Sequence, residues 1–510
     1  MKNKRKPKVK VNPRAISSKK DKAKAAKQPG NNPGPKSHPK RKPRIKPAKS
    51  KISKTKLIGK VSEKPRAKEV LILGAGLVGS LLSIYLAKRG YKVTIYERRP
   101  DMRKTEISAG RSINLALSDR GWKGLQGVGI DRAVRKISIP MHGRMIHGMD
   151  KSLTFQPYAE KGQSIYAASR GVLNAEMMTK AEEHGVTILF NEKCTAVDLN
   201  NKSAWFENQE DASSFSVETD LLFGADGAFS VARLHMQLNS DRFEYSQSYL
   251  DHGYKELLIP AGQNNSFLLE KNALHIWPRG GYMLIALPNL DGSFTCTLFF
   301  PYKGKDSFES ISTPKQCLNF FQRVFPDVVP LMPGLLDDFF NNPTGSLVTV
   351  KCFPWALEDK ACLIGDAAHA LVPFYGQGMN CGFEDCTVLN SLMKKHNDDW
   401  KKILPEFERS RKPNADAIAE LAVMNFFEMR DKVGHSEFLL RKKIEAHIHK
   451  KHPNKWLPLY SQVTFSHIPY AEALKSGQRQ EGIMNEVMKM NNIKQKWNSA
   501  EVEKFILSRI

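Results

Sequence analysis

Apolar residues fall along this chain in short unbroken runs, several of them followed directly by glycine. Val70-Leu71-Ile72-Leu73 has strand length and runs into Gly74-Ala75-Gly76-Leu77-Val78-Gly79. Apolar positions then recur at helical spacing (Leu77, Leu81, Ile84, Tyr85), and Gly90 supplies a helix stop. A second run, Val93–Tyr96, ends on Glu97, 18 residues after Gly79. Strand, glycine turn, helix, strand and acid stand in the order of a Rossmann-type dinucleotide-binding unit. Gly74 allows the tight turn, Gly76 lets a pyrophosphate approach the backbone, and Gly79 lets helix and strand pack closely. The helix start offers free N–H groups and the positive end of its dipole, and Glu97 is placed to accept from ribose hydroxyls.

Further along, the pattern predicts a helix with Trp122 and Leu125, and strands from Pro140 onward with Tyr158 in a loop. Ser169-Arg170 opens an amphipathic helix with Leu173, Met177 and Ala181 on one side, and Val186–Phe190 reads as a buried strand. Residues 221–233 repeat the theme of strand, Gly-x-Asp-Gly and helix start, with Asp226 in the turn. Between 243 and 301 short strands alternate with turns at Arg279–Gly281 and Asn289–Gly292, which predicts an antiparallel hairpin sheet. Ala361–Ile364 is again a strand, running into Gly365-Asp366 and the loop Pro373–Asn380, with a helix from about Gly382. Residues 401–510 read as helical. The expected organisation is a tail (1–67), an α/β body with the interleaved sheet (68–400) and a helical C-terminal region (401–510).

Charge changes this picture at one end only. Residues 1–68 hold 26 Lys and Arg against two acids (Asp21, Glu63), a net +24, so residues 69–510 contribute only +3 of the chain's +27. The segment 1–67 has too few large apolar side chains to offset its ordering entropy, which predicts disorder. Its charge reads as a solvated tail or a nonspecific polyanion-binding segment, and a targeting presequence is the third reading, less suited because the segment is Lys-rich and broken by Pro. Seven cysteines, with no C-x-x-C, predict reduced thiols and no metal site. No apolar run approaches the ~18 residues that span a bilayer, so a cytoplasmic protein is expected, with peripheral attachment to a membrane as the alternative.

Three glycine/aspartate signals in series, only the first a full fingerprint, resemble the single-component aromatic hydroxylases that use FAD. The strings Gly110–Ser118 (GRSINLALS), Pro140–His147 (PMHGRMIH), Leu274–Arg279 (LHIWPR), Ser293–Phe299 (SFTCTLF), Gly365–Asp385 (GDAAHALVPFYGQGMNCGFED), Asn425–Arg430 (NFFEMR) and Pro458–Ser466 (PLYSQVTFS) resemble most closely the kynurenine 3-monooxygenase family. The resemblance runs from about Lys68 to about Ala473 and excludes the tail. It implies a Rossmann-type FAD-binding domain, an interleaved antiparallel-sheet substrate domain and a helical C-terminal region. It implies FAD as cofactor, NADPH as a co-substrate that docks transiently, and O2 and L-kynurenine as substrates, in tryptophan degradation toward NAD synthesis. By the same resemblance Val78, Tyr96, Glu97, Arg98, Arg99, Ala116, Arg170, Cys194 and Asp226 contact FAD, along with Gly74, Gly76 and Gly79. Asp366 accepts from the ribityl chain, Met379 and Asn380 lie at the flavin ring, and Arg144, Tyr158, Asn425 and Tyr460 hold kynurenine. No protein nucleophile is implied, since the cofactor carries the oxygen chemistry.

The residue types fit these roles independently. A guanidinium fork binds a carboxylate at two points and a phenol adds a third, which suits Arg144 and Tyr158 to an amino acid. The bland alternatives are a surface ion pair for Arg144 and a core cap for Tyr158. His369 is expected to be structural, and Cys381 and Cys386 to be small buried residues. Rival readings of the whole are a flavin hydroxylase for another aromatic acid, or a non-catalytic binding protein on the same fold.

Overall fold

Three neighbouring parallel strands carry the three glycine/aspartate motifs. Glu69–Leu73 pairs in parallel with Leu221–Gly224, which pairs in parallel with Ala361–Leu363, so Leu73, Gly224 and Leu363 lie side by side. The motifs follow directly, at the carboxyl ends of the strands, where open α/β sheets bind their ligands. Lys92–Glu97 and Thr187–Phe190 extend this six-stranded sheet on one side, and the short antiparallel Ala356–Leu357 closes the other. The helix Leu77–Ala87 covers the sheet, burying Leu81, Leu82 and Ile84 against Leu71, Ile72 and Ile95. Each such side chain contributes roughly 1.5–3 kcal/mol when fully buried.

The computed structural model describes residues 68–104, 114–158, 162–433 and 435–510. The expected tail, 1–67, and the first residues of the Gly110–Ser118 string lie outside the described residues.

The second sheet is larger than its sequence pattern suggests. It has seven strands, in the order Gly345–Phe353, Glu244–Ile259, Phe294–Pro301, Met283–Pro288, Ala273–Pro278, Gly143–His147 and Leu153–Pro157. The hairpins within 243–301 are as expected, but the sheet is not wholly antiparallel. Ala273–Pro278 pairs in parallel with Gly143–His147, setting Leu274 beside Arg144. A parallel neighbour comes from far away in sequence, so no local turn announces it.

Two further differences are local. The strands Glu192–Asp198, Ser203–Asn208 and Ser214–Glu218 form a three-stranded sheet that the pattern does not reveal. Its turns place Lys202 and Ala212, not glycine, at positive φ. The helix expected from about Gly382 begins at Gly378, because the Cys381 N–H already donates to the Gln377 carbonyl at 2.7 Å. The C-terminal region is helical: Trp400–Phe427 leads through a π turn, Glu428–Lys432, to Ser436–Lys451, Leu459–Thr464 and Tyr470–Val487. All seven thiols are free.

Candidate active site

The first motif forms a cradle whose three glycines are needed for three different reasons. Gly74 has φ +99°, and a Cβ there would stand 2.7 Å from the Ala225 carbonyl oxygen. A Cβ on Gly79 would meet the Gly74 carbonyl oxygen at 2.1 Å. A Cβ on Gly76 would meet nothing within 4 Å. The protein itself therefore does not require glycine at 76; the open space above it, at the start of a helix, fits a diphosphate.

Glu97 closes the cradle from the neighbouring strand. One carboxylate oxygen accepts from the Ala75 N–H at 2.9 Å, and the other from the Arg99 backbone N–H at 3.0 Å and its Nε at 2.7 Å. Burial pushes this carboxyl up, but the Arg99 and Ala75 bonds outweigh it and leave the pKa below its usual value. Arg98 and Arg99 are exposed at the strand tip, and Arg170 is exposed at the first turn of its helix. Tyr96 is turned inward, its ring 4.0 Å from that of Phe206, so its side chain packs the sheet onto the three-stranded hairpin. Cys194 sits on that hairpin, its thiol pushed up to about 12 by burial and by Asp226.

The other two motifs differ from each other. Asp226 caps the helix Val231–Leu238, accepting from the Val231 and Ala232 N–H groups at 2.7 and 3.1 Å. Its second oxygen is buried without a partner. Asp366, after Gly365 at φ +61°, is exposed and opens the short helix Asp366–His369 that follows the strand Ala361–Leu363. Val78 wedges these parts together: a Cβ on Gly382 would lie 2.5 Å from it and one on Gly365 3.0 Å. Asn380 is fully buried, and its side chain is committed to the protein. Its oxygen accepts from the Ser118 N–H at 2.9 Å, and its nitrogen donates to the carbonyls of Ala116 at 2.8 Å and Gly376 at 2.7 Å. What it and Met379 offer a ligand is backbone N–H at the head of a helix.

Arg144, Tyr158 and Tyr460 converge although they come from distant regions of the chain. The Arg144 guanidinium lies 4.7 Å from the Tyr460 ring centre and 5.7 Å from that of Tyr158. Tyr460 stacks between Tyr158, at 5.2 Å, and Tyr375, at 5.6 Å. Arg144 Nε and the Tyr158 hydroxyl are both buried without a well-aligned hydrogen bond, although Tyr460 and Arg144 lie close enough to the Tyr158 hydroxyl to act on it. Burial disfavours the Arg144 charge, but Tyr460, Tyr158 and Glu428 outweigh it, so the guanidinium stays ionised. Burial raises Tyr158 and Tyr375 well above the usual phenol value, so both remain neutral. Asn425 is buried, its amide nitrogen donating to the Phe374 carbonyl at 2.6 Å. Phe374 packs between Phe299 and Phe426, so that Phe374 and Tyr375 form a buried aromatic wall.

His369, Cys381 and Asp385 also cluster, but as part of an ion network. His369 Nε2 lies 2.6 Å from Asp385 Oδ2, and the Arg411 Nε donates to Asp385 Oδ1 at 2.7 Å. Arg411 also pairs with Glu384 at 2.6 Å, and Glu384 with the buried Arg120. These ion pairs tie the helix Gly378–His396 to Trp400–Phe427, with Arg411 facing both Asp385 and Glu384. Arg120 and Arg411 carry no sequence signal of their own, whereas Tyr375 lies in the aromatic loop that the sequence marks.

The FAD binding domain model matches residues 67–271 and 355–422, the segments that build the first sheet and its cradle. The kynurenine 3-monooxygenase of Flavobacterium johnsoniae is 56% identical over 86% of this chain and 98% of its own length. That of Dictyostelium discoideum is 46% identical over 83% of this chain and 94% of its own. A solved 2-methyl-3-hydroxypyridine-5-carboxylic acid oxygenase superposes with a TM-score of 0.58 at 19% identity, over 72% of this chain and 94% of that one, which speaks for the fold alone. By its matching domain, its convergent motifs and its identity to these relatives, the chain belongs to the kynurenine 3-monooxygenases, a family of FAD-dependent monooxygenases.

Proposed function

We propose that this chain hydroxylates L-kynurenine to 3-hydroxykynurenine, consuming NADPH and O2. The observation that carries the substrate is the pair of buried donors without a well-aligned acceptor, Arg144 Nε and the Tyr158 hydroxyl, beside stacked Tyr460. Buried donors are costly unless an acceptor arrives, and an amino-acid carboxylate supplies one for both. Asn425 braces the Phe374 carbonyl, and the Pro373–Tyr375 wall keeps water from the reacting ring.

On the cofactor side, the open space at Gly76 and the N–H groups that follow it suit the FAD diphosphate. Glu97 suits the ribose, and the exposed carboxylate of Asp366 suits the ribityl hydroxyls. Val78, Ala116, Arg98, Arg99, Arg170 and Cys194 line the approach, while Tyr96 and Asp226 support it by packing and by capping. The backbone N–H groups of Met379 and Asn380 suit the flavin ring. When bound, FAD takes two electrons from NADPH and transfers one oxygen atom of O2 to the aromatic ring, the other leaving as water. Residues 68–400 then act as the FAD and substrate body, and 401–510 complete the substrate wall through Asn425 and Tyr460.

Among the described residues no helix is long and apolar enough to cross a membrane. The reading is of a cytoplasmic enzyme whose basic residues 1–67 bind polyanions nonspecifically. The test is to load the protein with FAD and follow NADPH oxidation with and without L-kynurenine, with product mass. Kynurenine-stimulated oxidation and one added oxygen support the reading. Stimulation by another aromatic acid only would replace the substrate, and absence of flavin uptake would favour a binding protein. Deleting residues 1–67 tests the tail: full activity with lost retention on an anionic matrix is expected.

A further inference from the structure

A hydrogen-bonded chain joins the C-terminal helices to the head of the helix Gly378–His396. The Tyr470 hydroxyl donates to Gln377 Oε1 at 2.8 Å, and Gln377 Nε2 donates to Ser118 Oγ at 3.4 Å. Ser118 in turn donates its N–H to Asn380 Oδ1 at 2.9 Å. Tyr470 is fully buried and Gln377 is 3% exposed, so water does not replace either partner. Gln377 is the residue on which the helix starts, and its carbonyl takes the first intrahelical bond from Cys381.

The same helix is held a second time, farther along. Glu384 pairs with Arg120 and Arg411, and the Arg120 guanidinium lies 4.0 Å from the Tyr470 ring centre while donating to the Val463 and Ile468 carbonyls. The ionic tie secures the body of the helix. The Tyr470–Gln377 bond acts only on its first turn, where Met379 and Asn380 present their N–H groups.

We propose that Tyr470 is a positioning residue which, through Gln377, holds the first helical turn where its N–H groups stabilise the negative charge that reduction places on the flavin ring. This rests on the reading that Met379 and Asn380 lie at that ring. A helix start stabilises nearby negative charge only over its first turn, so a small displacement there registers in the reduction equilibrium. The C-terminal region thereby sets the cofactor's potential without touching it.

The experiment is Tyr470→Phe, which keeps the ring over Arg120 and removes only the hydroxyl. Flavin content, the midpoint potential of bound FAD against a reference dye, and KM and kcat are measured on the full chain. Full flavin content with about a tenfold loss in the reduced-to-oxidised ratio is expected, a shift of about 30 mV toward negative values for two electrons. KM for the aromatic substrate holds while kcat falls. Gln377→Met breaks the same link and shifts the potential the same way, and the double variant shifts no further than the larger single. It also serves as the readout should Tyr470→Phe fold poorly. Wild-type potential in flavin-replete variants overturns the inference and leaves the proposed function standing. A wild-type chain that takes up no FAD overturns both.

Discussion

Arg144 and Tyr460 face each other with the guanidinium carbon 4.7 Å from the ring centre, and the Arg144 Nε beside them is buried with no acceptor. A cation over an aromatic face is partly satisfied, but its N–H fork still lacks an acceptor. Replacing Arg144 with Ala is expected to weaken kynurenine binding about 10- to 100-fold, from the loss of about 1.5–3 kcal/mol of charge-assisted bonding. FAD content stays normal, because Arg144 stands on the other sheet. Arg144→Lys keeps the charge but loses the fork, and falls between. Spectral titration of the loaded enzyme with kynurenine reads both, and unchanged affinity would remove Arg144 from the site.

The cradle glycines separate folding from binding. Gly79→Ala forces a Cβ to 2.1 Å from the Gly74 carbonyl oxygen, so helix and strand must part. A loss of about 1–3 kcal/mol in stability and loss of FAD are expected together. Gly76→Ala meets no protein atom within 4 Å. It should melt as the wild-type apoprotein does yet bind FAD weakly. Apoprotein melting curves and flavin fluorescence titration decide this, and a Gly76→Ala chain that binds FAD normally would argue against a diphosphate there.

Much of this was legible in the sequence because it is local. The strand–glycine–helix–acid unit from Val70 to Glu97 needs only neighbours within one βαβ element. What was hidden depends on distant partners. The parallel pairing that puts Arg144 beside Leu274 joins segments separated by 130 residues. Asn380 is expected at the flavin ring from the sequence, but its side-chain amide is used by Ser118, Ala116 and Gly376, which no spacing reveals. Asp226 is expected to contact the cofactor, and one of its oxygens also caps a helix, a second use that its position before the helix allows but does not announce.

Asp366 follows a strand end and points its carboxylate outward from a sharp turn at Gly365. Asp366→Ala removes an acceptor from the cofactor side and no bond from the fold. The variant should purify pale, with melting of the apoprotein within about 0.5 kcal/mol of wild type, as for an exposed position. A fully yellow variant would contradict the ribityl role.

Arg411 and Asp385 are buried partners, and removing one takes from the other one of its two opposite charges, leaving Asp385 with His369 or Arg411 with Glu384. Arg411→Met is expected to cost about 3–5 kcal/mol. The double variant with Asp385→Asn should recover part of that loss. Urea denaturation of the four proteins of this cycle measures the coupling, and additive losses would show that the pair acts independently.

His275 gives the fold a pH dependence with a definite sign. It is 1% exposed and held between His147 Nε2 at 2.9 Å and the Glu270 carbonyl at 2.8 Å. Burial first, and then the neighbouring His147 against the favourable Glu270 bond, leave its pKa at about 4. Its unfolded value is about 6.5. The unfolded chain therefore binds more protons across that window, and stability is lost as pH falls through it. The contribution is complete above about pH 6.5 and declines by about 2 kcal/mol between about pH 7 and about pH 5. Other carboxylates and histidines add their own slopes, so the informative measurement is the difference between wild type and His275→Gln. Urea unfolding at the two pH values should show a smaller fall in the variant by about that amount. Equal slopes would mean that His275 is charged in the folded protein.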